Sequence, residues 1–447
     1  MLLRGVEVRG RVVDVRVRNG HVREIAAALP RDGSEVVEGH GGALLPGLHD
    51  HHVHLLALAA RRVSVDCSTL TGLRSLRDAD PDGGWVRGFG YHEAVAGSLD
   101  RHALDRWVPD RPVRVQHRSG ALWILNTLAT GLVAPALDSG PDVERDAGGN
   151  PNGRLWRYDE RLRKALPAAD LPDLDAVGRE LTTLGLTGVT DATPDLADQA
   201  VAHLASSLGG RLRMTLLGAT GALPADVRHG PFKLLLPDHA LPTFPELCAS
   251  IAAQHAVGRP VAVHCVTRES LLLTIAALRE VGAIRGDRLE HAAVVPPEVI
   301  PELAAMDVAV VTQPSFLRLR GDDYLRDVDP DDLPCLYPFE SLLRSGVRVA
   351  SSSDAPYGDP DPWRSIADAQ QRRSRAGTVI GADERTTAAT ALAGYLSDAA
   401  RPGGAPREVA VGTTADLCLL HVPLTEALQE PRAEHVRMVF LNGQPVT

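Results

Sequence analysis

Leu44-Leu45-Pro46-Gly47-Leu48-His49-Asp50-His51-His52-Val53-His54 carries an apolar run into a Pro-Gly step, then sets four histidines and an aspartate within six residues. On a strand, alternate side chains share a face, which groups Asp50, His52 and His54. Two neutral imidazoles on one face can grip a single metal ion, with a carboxylate close by. His49 and His51 have the opposite parity and are expected behind that face or in a loop. The pattern points to a metal site of the hydrolytic kind rather than to a binding module, and its missing ligands should lie further along the chain.

Outward from this run, short apolar segments alternate with Ala/Leu/Arg-rich helical stretches, the signature of βα units and a parallel sheet. Eight segments read as barrel strands: Ala43–Leu48, Gly188–Asp191, Leu212–Leu217, Phe232–Leu236, Val261–His264, Arg288–His291, Val308–Thr312 and Val347–Ser352. Helices are expected at Arg268–Val281, Pro297–Met306 and Trp363–Arg373. Four of these strands end in, or just before, a residue that can serve a metal site: Lys233, His264, His291 and Asp354. Lys233 and His264 stand 31 residues apart and His264 and His291 stand 27 apart, each close to one βα unit of about 30. The 63 residues from His291 to Asp354 make two units. This order places Lys233, His264, His291 and Asp354 on strands four, five, six and eight, at the mouth that holds His52 and His54 on strand one.

Both chain ends read differently. Val6–Arg9 and Val12–Val17 alternate around turns, Asn19-Gly20 is a hairpin signal, and Asp416–Leu420 and Val436–Phe440 repeat the pattern before Asn442-Gly443. Neither end can bury a core alone, so residues 1–42 and 405–447 are expected to form one small β-sandwich domain. Residues 43–404 are then a (β/α)8 TIM barrel, with an insertion at about 61–184 built over the substrate side.

Bulk properties bound the partners. The 447 residues carry 47 Lys plus Arg against 57 Asp plus Glu, a net charge of −10, without basic blocks. That balance excludes nucleic acid and anionic membrane as expected partners. No leader segment or membrane span is evident. Cys67, Cys248, Cys265, Cys335 and Cys418 are scattered, odd in number and never spaced as C-x-x-C, so a reducing, cytoplasmic setting is expected. The oligomeric state is open, a homo-oligomer included.

The ordered motifs resemble the amidohydrolase superfamily, and most closely its YtcJ-like branch, amidohydrolase family 3. Pro46–His54 is similar to the family's P-G-x-x-D-x-H-x-H, Arg288–Ala292 to its R-x-E-H-A, Thr312–Pro314 to its Q-P and Ser353–Pro356 to its S-D-x-P. Trp85–Tyr91 and Trp123–Asn126 resemble insert segments of the branch, and Gly412–Leu420 its C-terminal G-x-x-A-D-L. The resemblance spans nearly the whole chain. It implies that His52 and His54 bind the more buried metal and that His264 and His291 bind a second ion or complete the site. It also implies that Asp354 holds metal and acts as general base toward water. Lys233 occupies the position where some members carry a carbamylated lysine bridging two ions. A free ammonium has no lone pair, so Lys233 can ligate only when carbamylated or deprotonated.

The cofactor is therefore a divalent metal, one ion or two. Zinc suits these ligands, and iron and manganese also accept them. Tyr91, Trp123 and Asn126 are candidates to line the substrate pocket, and Asp191 is either a support for the ligands or a strand-end cap. The expected reaction is hydrolysis of a non-peptide C–N bond in a small molecule such as an N-acyl or N-formyl amine. A deaminase, a cyclic-amide hydrolase and a catalytically silent metal-binding barrel are the alternatives. Two segments depart from the branch, Cys265–Ser270 after His264 and Pro237-Asp238-His239 after the Lys233 strand, so substrate preference does not carry over.

Overall fold

The computed structural model describes residues 1–80, 84–166 and 171–446. Residues 81–83 and 167–170 of the expected insertion, and residue 447 of the expected terminal domain, lie outside them. The chain forms two compact units, Met1–Leu55 with Leu174–Thr447, and Leu56–Asp173.

In the first unit the opening run is divided, which corrects the reading of Ala43–Leu48 as one barrel strand. Leu44–Pro46 pairs antiparallel with Leu417–Leu420, whereas Leu48–Val53 pairs parallel with Leu186–Asp191. The break falls at Pro46-Gly47, where proline has no N–H to continue a ladder. Gly47 also passes so close to Thr187 that a Cβ there would lie 2.1 Å from its methyl group.

The strands Leu48–Val53, Leu186–Asp191, Arg213–Leu216 and Val227–His229 form one parallel sheet in that order. The short Val227–His229 strand has no counterpart among the segments expected from sequence. Phe232–Leu234, Val261–Cys265, Arg288–His291, Ala309–Thr312 and Arg348–Ser351 form a second parallel sheet. Backbone bonds join the two at both edges. Lys233 N–H donates to Leu217 O at 3.4 Å, and Asp354 N–H to His52 O at 2.8 Å.

Most of these strand residues are buried, as parallel strands covered by helices must be. The helix Arg268–Val281 has the bounds its periodicity predicts. Thr267 caps it by accepting the Ser270 N–H at 3.2 Å. Its Leu271, Ile275 and Leu278 share one stripe and pack with Val261, Val263, Leu289, Val310 and Val349 in the main core. Each such side chain contributes about 1.5–3 kcal/mol on burial. The core thus fixes the strand ends on which the candidate ligands sit.

The terminal segments supply two further sheets, one of Leu2–Val8, Arg11–Arg18, His21–Ala26 and Val36–Glu38, the other including Leu44–Pro46, Leu417–Leu420 and Val436–Leu441. Leu3, Val15, Val17, Leu44, Leu417 and Phe440 belong to one shared apolar cluster, so the two ends bury a common core.

The second unit holds a six-stranded mixed sheet running Val143–Arg145, Pro151–Trp156, Leu122–Leu125, Val113–His117, Val86–Tyr91 and Val65–Asp66. Among the described residues no helix is long and apolar enough to cross a membrane, and all five cysteines are free thiols.

Candidate metal centre

His52, His54 and Asp354 converge at the strand ends, with one ligand-capable atom from each lying within 4.8 Å of the others. Asp354 Oδ1 stands 3.4 Å from His52 Nε2 and 3.2 Å from His54 Nε2. That oxygen is buried and has no hydrogen-bond partner. Two ligand atoms about 2.0–2.1 Å from a tetrahedral ion are roughly 3.3 Å apart, so these separations match the edges of a coordination polyhedron. A buried orphan oxygen between two imidazole nitrogens therefore fits a divalent cation.

The remaining expected ligands surround this group. Lys233 Nζ lies 3.5 Å from His52 Nε2. The His291 ring centroid is 5.0 Å from that of His52, and its Nδ1 is 4.0 Å from Asp354 Oδ2. The His264 ring meets the His291 ring edge-on at 4.5 Å. All six residues singled out for the metal site are thus brought to one place.

Three imidazoles are fixed through Nδ1. His52 Nδ1–H donates to Glu290 Oε2, His291 Nδ1–H donates to Gln313 Oε1 at 2.9 Å, and His54 Nδ1 meets Thr193 Oγ1 at 3.3 Å. For His52 and His291, whose partners are acceptor oxygens, this leaves the Nε2 lone pair to face the centre. Gln313 is itself oriented, its amide donating to Ser352 Oγ at 3.0 Å. Arg288 Nε donates to Glu290 Oε1 at 2.6 Å, and its Nη2 donates to His51 O at 3.2 Å. A buried Arg288–Glu290–His52 chain therefore sets the tautomer of one candidate ligand.

Electrostatics keep the donors in ligating form. Burial drives the His52 imidazole down to about 3, with the Lys233 charge adding to the effect. Burial also holds His264 well below the usual histidine range, and His291 below it. Burial lowers Lys233, favouring the neutral amine. It works against ionisation of Asp354, but His52 and His54 outweigh it and hold that carboxyl below the ordinary range. Glu290 likewise stays ionised against its burial because Arg288 and His52 hold it down. His291 and Asp354 adopt left-handed φ values of 68° and 53° at their strand ends, conformations costly for residues with a Cβ and found where a site demands them.

The neighbours of the histidine pair take supporting roles. Asp50 Oδ1 accepts the backbone N–H groups of His52 and Ser353, each at 3.1 Å, and so braces the two strand ends rather than facing the ion. His49 and His51 are strand residues, not loop residues. They point away from the ligands toward Thr190 Oγ1 at 2.9 Å and Ser397 Oγ at 3.0 Å. Asp191 is a cap: it accepts the N–H groups of Leu55 and Thr193 at 2.8 and 2.9 Å.

The candidates for the substrate pocket are used otherwise. Asn126 caps the helix Thr127–Val133, accepting from Ala129 and Val113 N–H and donating to Val108 O and Arg111 O. With its amide fully engaged it has nothing left for a ligand. Tyr91 is buried in the second unit's core and donates to Gly97 O. Trp123 is buried with the Arg87 and Arg114 guanidinium groups 5.6 and 5.4 Å from its ring.

A second His/Glu group, His92, Glu93 and His117, lies in that unit. Backbone N–H groups donate to Nδ1 of both histidines at 3.1 Å, so each neutral ring carries its hydrogen on Nε2. His117 gives that hydrogen to Glu93 at 3.0 Å, which makes the group a self-satisfied cluster and a poor set of metal donors.

A sequence profile described as the amidohydrolase family matches residues 35–447. The chain is 25% identical to N-substituted formamide deformylase of Arthrobacter pascens, over 95% of this chain and 92% of that protein. It is also 25% identical to putative amidohydrolase YtcJ of Bacillus subtilis (strain 168), over 76% and 75% of the two chains. An uncharacterized metal-dependent hydrolase from Pyrococcus furiosus shares the fold, with a TM-score of 0.71 at 21% identity, covering 94% of this chain and 98% of that one. With the profile spanning nearly the whole chain, the protein belongs to the amidohydrolase family.

Proposed function

We propose that this family member hydrolyses the C–N bond of a small, non-peptide amide, an N-acyl or N-formyl amine. The observation that carries the reading is the convergence of buried His52 and Asp354 with partly buried His54 at ligand-to-ligand separations. The relative named for deformylation of N-substituted formamides supports the choice of acyl group.

We read the two parallel sheets as halves of one (β/α)8 barrel, because hydrogen bonds link their edges. The shared core of the two terminal sheets supports a β-sandwich. The corresponding domains are residues 1–42 with 405–447 and residues 43–404, with 61–184 inserted.

His52, His54 and Asp354 would hold one divalent ion, zinc by ligand type, and His264 and His291 would complete the site or hold a second ion. When bound, such an ion supplies Lewis-acid polarisation of the scissile carbonyl and lowers the pKa of water from 15.7 to about 7. The Asp354 carboxylate takes the proton from the attacking water and returns it to the leaving nitrogen. The acyl carbon keeps the water oxygen, and the amine leaves with that proton. Glu290, Gln313 and Thr193 keep the imidazoles oriented throughout. Burial lowers the Lys233 pKa and so eases its conversion to the neutral amine that takes up carbon dioxide, and its carbamate would supply oxygen ligands to the site. The dispersed net charge of −10 and the five free thiols suit a small-molecule substrate and the cytoplasm, with a homo-oligomer as an open arrangement.

Chelator-stripped protein is expected to lose at least about 100-fold in rate, and zinc, manganese or iron to restore it. A panel of N-formyl and N-acyl amines, nucleobases and hydantoins is expected to show turnover of the acyl amines. Full activity in metal-free protein would overturn the mechanism. Turnover confined to nucleobases or hydantoins would assign the same site to deamination or ring opening.

A further inference from the structure

We infer that the metal site carries an adjoining anion subsite centred on Arg320, and that the substrate is an N-acyl amine bearing a carboxylate and an apolar or aromatic side chain. The inference deepens the amidohydrolase reading above and rests on it.

The helix Ser315–Asp327 begins three residues after the strand Ala309–Thr312 ends, separated only by Pro314 from the Gln313 that orients His291. Phe316, Arg320 and Tyr324 recur every four residues and so share one helix face. The Arg320 guanidinium lies over the Phe316 ring at 4.4 Å, and its Nη2 reaches Tyr357 O at 3.5 Å. Tyr357 ties this face to the metal site. Its ring meets the His54 ring edge-on at 5.7 Å, and its N–H donates to Asp354 O at 2.8 Å. Tyr337, whose hydroxyl is 3.2 Å from that of Tyr324, packs edge-on against Phe316 at 6.3 Å.

The other two arginines of this helix show what Arg320 lacks. Arg318 is held by Asp359 and Asp368, and Arg326 by Asp323 and Asp327. Among the described residues no carboxylate lies within the 4.0 Å ion-pair range of Arg320, although it is only partly exposed. A guanidinium pinned on an aromatic face, with its donor fork short of an anionic partner, is pre-organised for a carboxylate. The surrounding rings of Phe316, Tyr324, Tyr337 and Tyr357 favour an apolar group beside that carboxylate. N-acyl or N-formyl derivatives of apolar amino acids combine these features with the scissile amide.

The test uses full-length, zinc-loaded protein and two substrates that differ only in the carboxylate, N-formylphenylalanine and N-formyl-2-phenylethylamine. Wild type is expected to prefer the acid. In Arg320→Gln the ratio of the two kcat/KM values is expected to fall about 10- to 100-fold, the worth of one charge-assisted hydrogen bond. The loss should appear mainly in KM, and Arg320→Lys should recover part of it. A wild type without this preference, or a ratio unchanged in Arg320→Gln, overturns the subsite.

If neither formamide is hydrolysed, binding of 3-phenylpropionate against 3-phenylpropanamide, by calorimetry, decides. Acid binding weakened at least about tenfold in Arg320→Gln would keep the subsite while the N-formyl reading fails. Acid binding that is absent or independent of Arg320 would remove it.

Discussion

Asp354→Asn is expected to lower kcat/KM by about 10³- to 10⁴-fold while far-ultraviolet circular dichroism stays that of the wild type. The amide keeps the volume of the carboxylate and can still offer one oxygen to an ion, so the change removes mainly the proton-accepting charge. Asp354 is buried, its Oδ1 lies between His52 Nε2 and His54 Nε2, and its backbone is held by His52 O and by the N–H groups of Tyr357 and Gly358. That framework should survive the substitution. His52→Ala should match the loss of rate and also lose metal. An Asp354→Asn enzyme within tenfold of wild type, measured on the best substrate of the acyl-amine panel, would remove Asp354 as the base.

The second large effect is expected at Glu290, whose two carboxylate oxygens are committed to Arg288 and His52. Its carboxylate bonds Arg288 on one oxygen and His52 Nδ1 on the other, with all three side chains buried. Glu290→Ala leaves the Arg288 guanidinium buried with only the His51 carbonyl among its hydrogen-bond acceptors in the structure. Breaking a buried pair from one side costs about 3–5 kcal/mol, to be read as a lower denaturation midpoint. Glu290→Gln fills the same space but loses the charge that holds His52 as the Nδ1–H tautomer. Zinc affinity, measured against a competing chelator, should fall about 10- to 100-fold. If both variants keep wild-type stability and zinc affinity, the Arg288–Glu290–His52 chain has no part in orienting the ligand.

What was legible in the sequence was local or periodic. Strand parity groups His52 with His54 and excludes His49 and His51, because the alternation of faces needs only one strand. Spacings near one βα unit bring Lys233, His264 and His291 to the same sheet edge, because each unit returns the chain to that edge. Glu290 escaped assignment although Arg288–His291 stood out as a motif. Its role depends on His52, 238 residues away, which no local pattern records. Arg320 was missed for the same reason: it stands out only once its neighbours on the helix are seen to have acidic partners and it is not.

The opposite error occurred at Asn126. A polar residue after an aromatic insert segment resembles a pocket wall until its amide is found spent on a helix cap and two carbonyls. The division of the opening run between two sheets was likewise hidden in a continuous apolar stretch, with only Pro46-Gly47 to signal it.

We propose that His52, His54 and Asp354 hold one divalent ion together. An anomalous-difference map at the zinc edge, from crystals of the zinc-loaded protein, tests it most directly. The expected result is a peak about 2.0–2.2 Å from His52 Nε2, from His54 Nε2 and from a carboxylate oxygen of Asp354. Zinc bound at full stoichiometry with these three atoms left uncoordinated would contradict it.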